Sequence, residues 1–204
     1  MFCDEANRRY RIDFKKECFG LVIFLNGTSS SGKTTLSHAL QQALADVYLH
    51  VSVDTYLSQI AQCDLNNAKL MEERFANIVN GFHESAAAIA RAGNNVIVDY
   101  VLQQPEWLDA CVKAFEGMPV VFVGVHCPLD VLETREESRG DRKLGAARFQ
   151  FNRVHSHRTY DLELDTSSLS VEACVSKIVE YIESGSKPSA FETLMLQSEM
   201  RKQA

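Results

Sequence analysis

The sequence predicts an α/β fold: a five-stranded, mainly parallel sheet flanked by helices. Three observations carry this. Five short strand candidates, the first a continuous apolar run, punctuate the 204 residues. Amphipathic stretches of helical period fill the intervals between them. Proline and glycine stand where such helices should start and stop. Strands covered by helices on both faces read as unbroken apolar runs, and strands alternating with helices build parallel sheets through crossover connections.

The elements follow in order. "LVIFLN" (Leu21–Asn26) is the first strand, and "TTLSHALQQALAD" (Thr34–Asp46) the first helix. "LHVSVD" (Leu49–Asp54) is the second strand. Residues 67–92 carry one or two helices, and "NVIVDY" (Asn95–Tyr100) is the third strand. "PEWLDACVKAFEG" has Pro105 at its start and Gly117 at its end, so it reads as a capped helix. "VVFVGVH" (Val120–His126) is the fourth strand, and "PLDVLETREESR" (Pro128–Arg139) the helix after it. "YDLELD" (Tyr160–Asp165) is the fifth strand, and "SVEACVSKIVEYIES" (Ser170–Ser184) closes the core, with Ser170 as its N-cap. Residues 185–204 follow a Gly-Ser-Lys-Pro break. Phe191, Leu194, Met195 and Leu196 suit either a docked helix or a loosely attached tail. The expected organisation is an extension over 1–19, one domain over 20–184 and a tail over 185–204.

Composition bounds the function. An apolar content of 46% and a charged content of 24% are those of an ordinary globular domain. A net charge of −6 supplies no basic face for nucleic acid, so no nucleic-acid partner is expected. Cys3, Cys18, Cys63, Cys111, Cys127 and Cys174 are scattered without a metal-like spacing, which suggests reduced thiols. The charged N-terminal stretch lacks a secretory core, and no run is apolar enough to span a bilayer. A cytoplasmic setting with no membrane partner is the expectation.

One stretch carries chemistry outright. "GTSSSGKT" (Gly27–Thr34) fits G-x-x-x-x-G-K-[ST], the phosphate-binding loop, or Walker A motif, between a strand and a helix. Glycines let successive N–H groups aim at one point, and small side chains let the backbone approach phosphate oxygens. The following helix offers its positive end. The expected fold is therefore that of P-loop NTPases, with ATP and Mg²⁺ as cofactors. Gly27, Thr28, Ser29, Ser30, Ser31, Gly32, Lys33, Thr34 and Thr35 form the expected nucleotide cradle. Lys33 is expected to reach the β- and γ-phosphates, and the Thr34 hydroxyl to ligate the metal.

Ligands of such sheets bind beyond the carboxyl ends of the strands. Asp54 and Asp99 stand there, the first twenty-one residues after Lys33. Asp54 is assigned as the base that accepts the proton of an attacking hydroxyl, and Asp99 as the Mg²⁺ carboxylate or a second acid/base. "ETREESRGDRKLGAAR" (Glu133–Arg148) places Arg135, Arg139 and Arg142 on one helical face. A solvated helix with surface ion pairs is the plain reading of such a run. Its place after the fourth strand favours an arginine-rich lid over about 135–150, with Arg139 and Arg142 on the transferring phosphoryl group and Arg135 on the nucleotide. Asp165 and Thr166, at the last strand end, are expected to line the adenine or ribose pocket.

At these residues the chain resembles the chloramphenicol phosphotransferase-like family of P-loop kinases. The resemblance runs from about Leu21 to Ile182 through "VIFLNGTSSSGKT", "VSVDTYL", "AIARAGNNVIVDYVL", "VGVHCPLDVLETREESRGDRKLGAA" and "HSHRTYDLELDTSSLSVEAC". The R-E-x-x-R-G-D-R pattern from Arg135 to Arg142 is its most specific part. The resemblance implies transfer of the γ-phosphate of ATP, with Mg²⁺, onto an alcohol of a small molecule, with Asp54 as the catalytic aspartate. The chain departs from the pattern over about Thr55–Asn80, which is shorter, and at Tyr100, where antibiotic-modifying members can show a second aspartate. Both departures fall where the acceptor is recognised.

The segment from Thr55 to Val98 holds Lys69, Arg74 and Arg91 against Asp64, Glu72, Glu73 and Glu84. An acceptor bearing its own phosphate usually asks for converging arginines. The shortage favours a neutral or cationic small molecule with a free hydroxyl. Tyr56, Leu57, Ile60, Phe75, Phe82, Tyr100 and Trp107 are candidates for an apolar wall. His83, His155 and His157 read as packing histidines. Two further functions fit the same loop: a nucleoside or nucleotide-sugar kinase, and a switch module that binds nucleotide without transfer.

Overall fold

The computed structural model describes residues 19–139 and 144–203. The elements run β1 (Val22–Gly27), α1 (Lys33–Ala43), β2 (Tyr48–Ser52), α2 (Val53–Leu57), α3 (Gln62–Leu65), α4 (Ala68–Arg91), β3 (Asn95–Tyr100), α5 (Pro105–Ala114), β4 (Val120–His126), α6 (Leu129–Arg139), α7 (Ala146–Val154), β5 (Leu162–Asp165), α8 (Val171–Glu183) and α9 (Ala190–Gln203). The five strands form one sheet in the order β2-β3-β1-β4-β5. Every pairing is parallel, with Asn26 opposite Tyr100 on one side and Gly124 on the other.

β1 lies at the centre and is buried along its whole length. Its side chains alternate between two cores, as the two-residue period of a strand requires. Val22 and Phe24 join Val96, Val98, Val120 and Phe122 under α4, α5 and α9. Ile23 and Leu25 join Ile97, Val121 and Val123 under α1 and α8. The switch in strand order beside β1 opens the crevice in which the phosphate loop sits, between the ends of β1, β3 and β4.

Two boundaries correct the sequence reading, and a third choice is decided. β2 stops at Ser52, and Val53–Leu57 turns into a short helix, so Asp54 does not end a strand. As an edge strand, β2 is held by β3 alone, and its last pair is Ser52 with Asp99. β5 begins at Leu162 rather than Tyr160; the side chains of Tyr160 and Asp161 bond Asn26 and the Phe122 N–H. Residues 68–91 form a single helix, N-capped by the Asn67 side chain on the Leu70 N–H.

The tail is a docked helix. Asp161 accepts hydrogen bonds from the Ser189 and Ala190 N–H groups at 2.7 and 3.0 Å and from the Phe122 N–H at 2.8 Å. One carboxylate thereby ties the start of α9 to β4. Phe191 then packs against Phe24, Phe122 and Phe115, with ring centroids 5.5, 5.0 and 6.1 Å away. Arg201 closes the far end on Asp109 at 2.7 Å. Among the described residues no helix is long and apolar enough to cross a membrane. Cys63, Cys111, Cys127 and Cys174 are free thiols. Cys3 and Cys18 lie outside the described residues.

Candidate active site

The loop between β1 and α1 is a cradle in which each residue type has a steric reason. At Gly27 a Cβ would meet the Val125 carbonyl oxygen at 2.5 Å and the Ser31 Oγ at 2.7 Å, so the turn closes only on glycine. Gly32 takes φ +93° to start α1 at Lys33. The hydroxyls of Ser30 and Ser31 are buried without a hydrogen-bond partner. Buried polar atoms without partners are costly in a folded chain, and here they stand inside the anion cradle. Lys33 is 6% exposed, and its ammonium donates to the Thr28 carbonyl at 2.7 Å.

Asp99, at the end of β3, is the electrostatic centre beside this loop. Its Oδ2 accepts the Thr34 hydroxyl at 2.6 Å, and its Oδ1 lies 3.9 Å from Lys33 Nζ. His50 Nε2 of β2 stands 3.7 Å away. Burial disfavours the charged carboxylate, but His50, the Lys33 ammonium and the Thr34 hydroxyl outweigh it and hold the Asp99 carboxyl below its ordinary range. Asp99 is thus ionised at neutral pH. An ionised carboxylate bonded to a hydroxyl is a hard-oxygen donor pair that suits Mg²⁺.

A cleft of about 80 Å³ brings together Ser29, Ser30, Gly32, Lys33, Thr34 and Thr35 with Asp54, Asp99, Tyr100 and Arg139. Asp54 reaches it from the first turn of α2. A second cavity, of about 440 Å³, lies across the loop and is lined by Ser30, Gly32, Thr35, Arg135, Arg139, Thr166, Leu169 and Val171 among others. Arg135 spans its wall by donating to the Thr166 Oγ1 and carbonyl at 3.1 and 2.9 Å. Asp165 is an expected site residue that lines neither of these cavities. It lines a third cavity with His126 and His155, and its carboxylate accepts from the Ser167 N–H and hydroxyl. Those bonds hold its carboxyl below the usual range. Arg142 lies outside the described residues.

Three residues escaped the sequence reading. Asn26, fully buried at the end of β1, accepts from the Leu102 N–H and donates to Tyr160 Oη and the Val154 carbonyl. A polar residue ending an apolar run was the available signal. Glu136 reads as one more charge on a solvated helix. It is 2% exposed and accepts from the Gly145 and Ala147 N–H groups at 2.8 and 3.1 Å, which caps α7 from α6. Gln150 of α7 accepts from the Ser29 N–H at 2.7 Å. No local pattern marks it.

The chain has relatives among known proteins. An O-phosphotransferase, provisionally so named, of Mycobacterium tuberculosis (strain H37Rv) is 30% identical over 197 residues, covering 86% of this chain and 88% of its own. An adenylyl-sulfate kinase of Geotalea uraniireducens is 29% identical over 170 residues, with 80% of each chain covered. Among solved structures, the Mycobacterium tuberculosis APS kinase in complex with AMPPNP and APS matches with a TM-score of 0.61 at 19% identity, over 81% of this chain and 98% of that one. At that identity the likeness is one of fold, the five-stranded parallel sheet of P-loop kinases. The sequence model of the chloramphenicol phosphotransferase-like proteins matches residues 20–183, and the chain belongs to that family.

Proposed function

We propose that this chain is a phosphotransferase of kinase type that moves the γ-phosphate of ATP, with Mg²⁺, to a hydroxyl group of a small molecule. The observation that carries the reading is the cleft in which Asp54 shares one wall system with Lys33, Asp99, Arg139 and the phosphate loop. A base, a metal carboxylate and two cations around one small space are what phosphoryl transfer to an alcohol needs. Family membership and the kinase-like relatives agree with it.

The roles follow from position. The loop N–H groups and the orphaned Ser30 and Ser31 hydroxyls hold phosphate oxygens. Lys33 leaves the Thr28 carbonyl to do the same. Thr34 and Asp99 would hold Mg²⁺, which when bound neutralises phosphate charge and orients the transferring group. Asp54 takes the proton of the acceptor hydroxyl as that oxygen bonds the γ-phosphorus and the bond to the departing ADP breaks. Arg139 balances charge on the transferring group, and Arg135 with Thr166 borders the nucleoside cavity.

Acceptor recognition falls to the ring cluster beside Asp99. Tyr100 lines the cleft and packs on Phe82 and His83, with centroids 5.0 and 5.2 Å away. Trp107 packs on Tyr100 and Phe75, with ring centroids 6.2 and 5.6 Å away. Lys69 and Arg74 are exposed, and Arg91 is turned onto the Ala114 carbonyl at 2.6 Å. None of the three lines the cleft. An acceptor without a phosphate of its own fits this wall best.

The test is phosphoryl transfer from ATP·Mg²⁺ to a panel of hydroxyl compounds, read by mass spectrometry as a product one phosphate heavier. A product that vanishes in Asp54→Asn supports the reading and identifies the acceptor class. Transfer that survives Asp54→Asn or Lys33→Met overturns the assignment of those residues.

A further inference from the structure

The phosphate loop holds a strained residue with no glycine to relieve it. Ser30 has φ +63°, in the left-handed region that non-glycine residues seldom enter. Such strain persists only where the surroundings over-determine it. Side chains from distant elements hold the backbone on both sides of Ser30. Before it, the Ser29 N–H donates to Gln150 Oε1 of α7 at 2.7 Å, across 121 residues of sequence. After it, the Ser31 carbonyl accepts from Thr166 Oγ1 at 2.8 Å, across 135 residues. Thr166 is itself fixed by two hydrogen bonds from Arg135 of α6. α6 and α7 are joined through buried Glu136, which caps α7.

We propose that Gln150 is a positioning residue for nucleotide binding. With Thr166 it clasps the Ser29–Ser31 turn and keeps the cradle in its left-handed form before nucleotide arrives. This rests on the nucleotide reading above and goes beyond it, because it makes affinity depend on a residue outside the loop. A backbone N–H donor fixes the orientation of the Gln150 amide, since only its oxygen accepts. Without that acceptor the turn can relax to ordinary φ values, and binding must then rebuild it. Preorganisation lost from the free protein appears as weaker affinity.

Two measurements decide it. The first is amide exchange of Ser29 in the ligand-free protein, followed by NMR. Exchange is expected to be about tenfold faster in Gln150→Leu, and near the wild-type rate in Gln150→Glu, which keeps an acceptor oxygen. The second is calorimetric binding of ADP·Mg²⁺ to wild type, Gln150→Leu, Ser30→Gly and the double variant. Gln150→Leu is expected to raise Kd roughly three- to tenfold, the worth of one hydrogen bond. In the Ser30→Gly background the same change is expected to cost less than about twofold, because glycine adopts this conformation without strain. A purely structural role for Gln150 predicts equal penalties in both backgrounds. Equal penalties, or Ser29 exchange unchanged in Gln150→Leu, overturn the clasp. Absence of ADP binding in the wild type overturns the nucleotide reading instead, and the exchange experiment then decides the clasp alone.

Discussion

Asp54 and Asp99 are carboxylates of one type in two environments. Asp99 is 8% exposed, ionised and bonded to Thr34. Asp54 sits in the first turn of α2, exposed at the mouth of the cleft, where an acceptor can reach it. The same change should therefore act differently at each. Asp54→Asn is expected to lower kcat by roughly 10²- to 10⁴-fold, the usual worth of general base catalysis, with nucleotide affinity nearly kept. Asp99→Asn is expected to weaken Mg²⁺ binding in the presence of ADP about 10- to 100-fold, read by calorimetry without any acceptor. A third residue-scale case is His83, 1% exposed, with neither ring nitrogen hydrogen-bonded. Burial pushes its pKa down to about 4. Between pH 6.5 and 4 the unfolded chain then binds a proton that the folded chain does not. Stability is full above the unfolded value and falls as pH drops through that window, by up to about 1.4 kcal/mol per unit from this residue. Urea unfolding at pH 7.5 and 5 should show the drop, and a smaller one in His83→Leu. His155 and His157, lowered mainly by burial to about 3 and about 4, add to the slope in the same direction.

At the scale of elements, the α6–α7 pair behaves as one unit because a single carboxylate joins it. Glu136 satisfies two N–H groups at the start of α7, where helices have no partners of their own. Arg148 adds a two-pronged bond to Glu133, at 2.7 and 3.0 Å, but at an exposed position where ion pairs contribute little. Glu136→Ala should therefore cost about 1–3 kcal/mol in urea unfolding, and Glu133→Ala well under one. Glu136→Ala should also speed amide exchange along α7, since a local cap is lost. α7 would then release Gln150, and the phosphate loop would feel a change made on another helix.

At the scale of the molecule, α9 is part of the core rather than an appendage. Phe191 completes an aromatic cluster with Phe24, Phe115 and Phe122, directly behind the central strand that ends in the phosphate loop. Edge-to-face rings and a filled volume make its removal expensive. Phe191→Ala should cost about 3–5 kcal/mol in equilibrium unfolding. Loss of the whole helix would expose the apolar face of β1, β4 and α5 that it covers. A variant ending at residue 185 that unfolds with wild-type stability would contradict this packing.

The sequence by itself determined the chemistry that is local. A strand, a glycine-bounded loop and a helix N-terminus are contiguous, so "GTSSSGKT" announces its own conformation. Apolar runs and capped helices likewise announced the parallel sheet, since each reports burial within a few residues. Tertiary structure decided whatever depends on partners far along the chain. The change from strand to helix before Asp54 follows from an edge strand losing its neighbour at Ser52. Glu136 and Gln150 look like solvated polar residues until folding brings α7 against the loop. Asp161 looks like a strand residue until it caps a helix 28 residues away. Hydrogen bonds across such separations leave no periodicity in the sequence. Only the assembled sheet and its crossovers say which polar groups will meet.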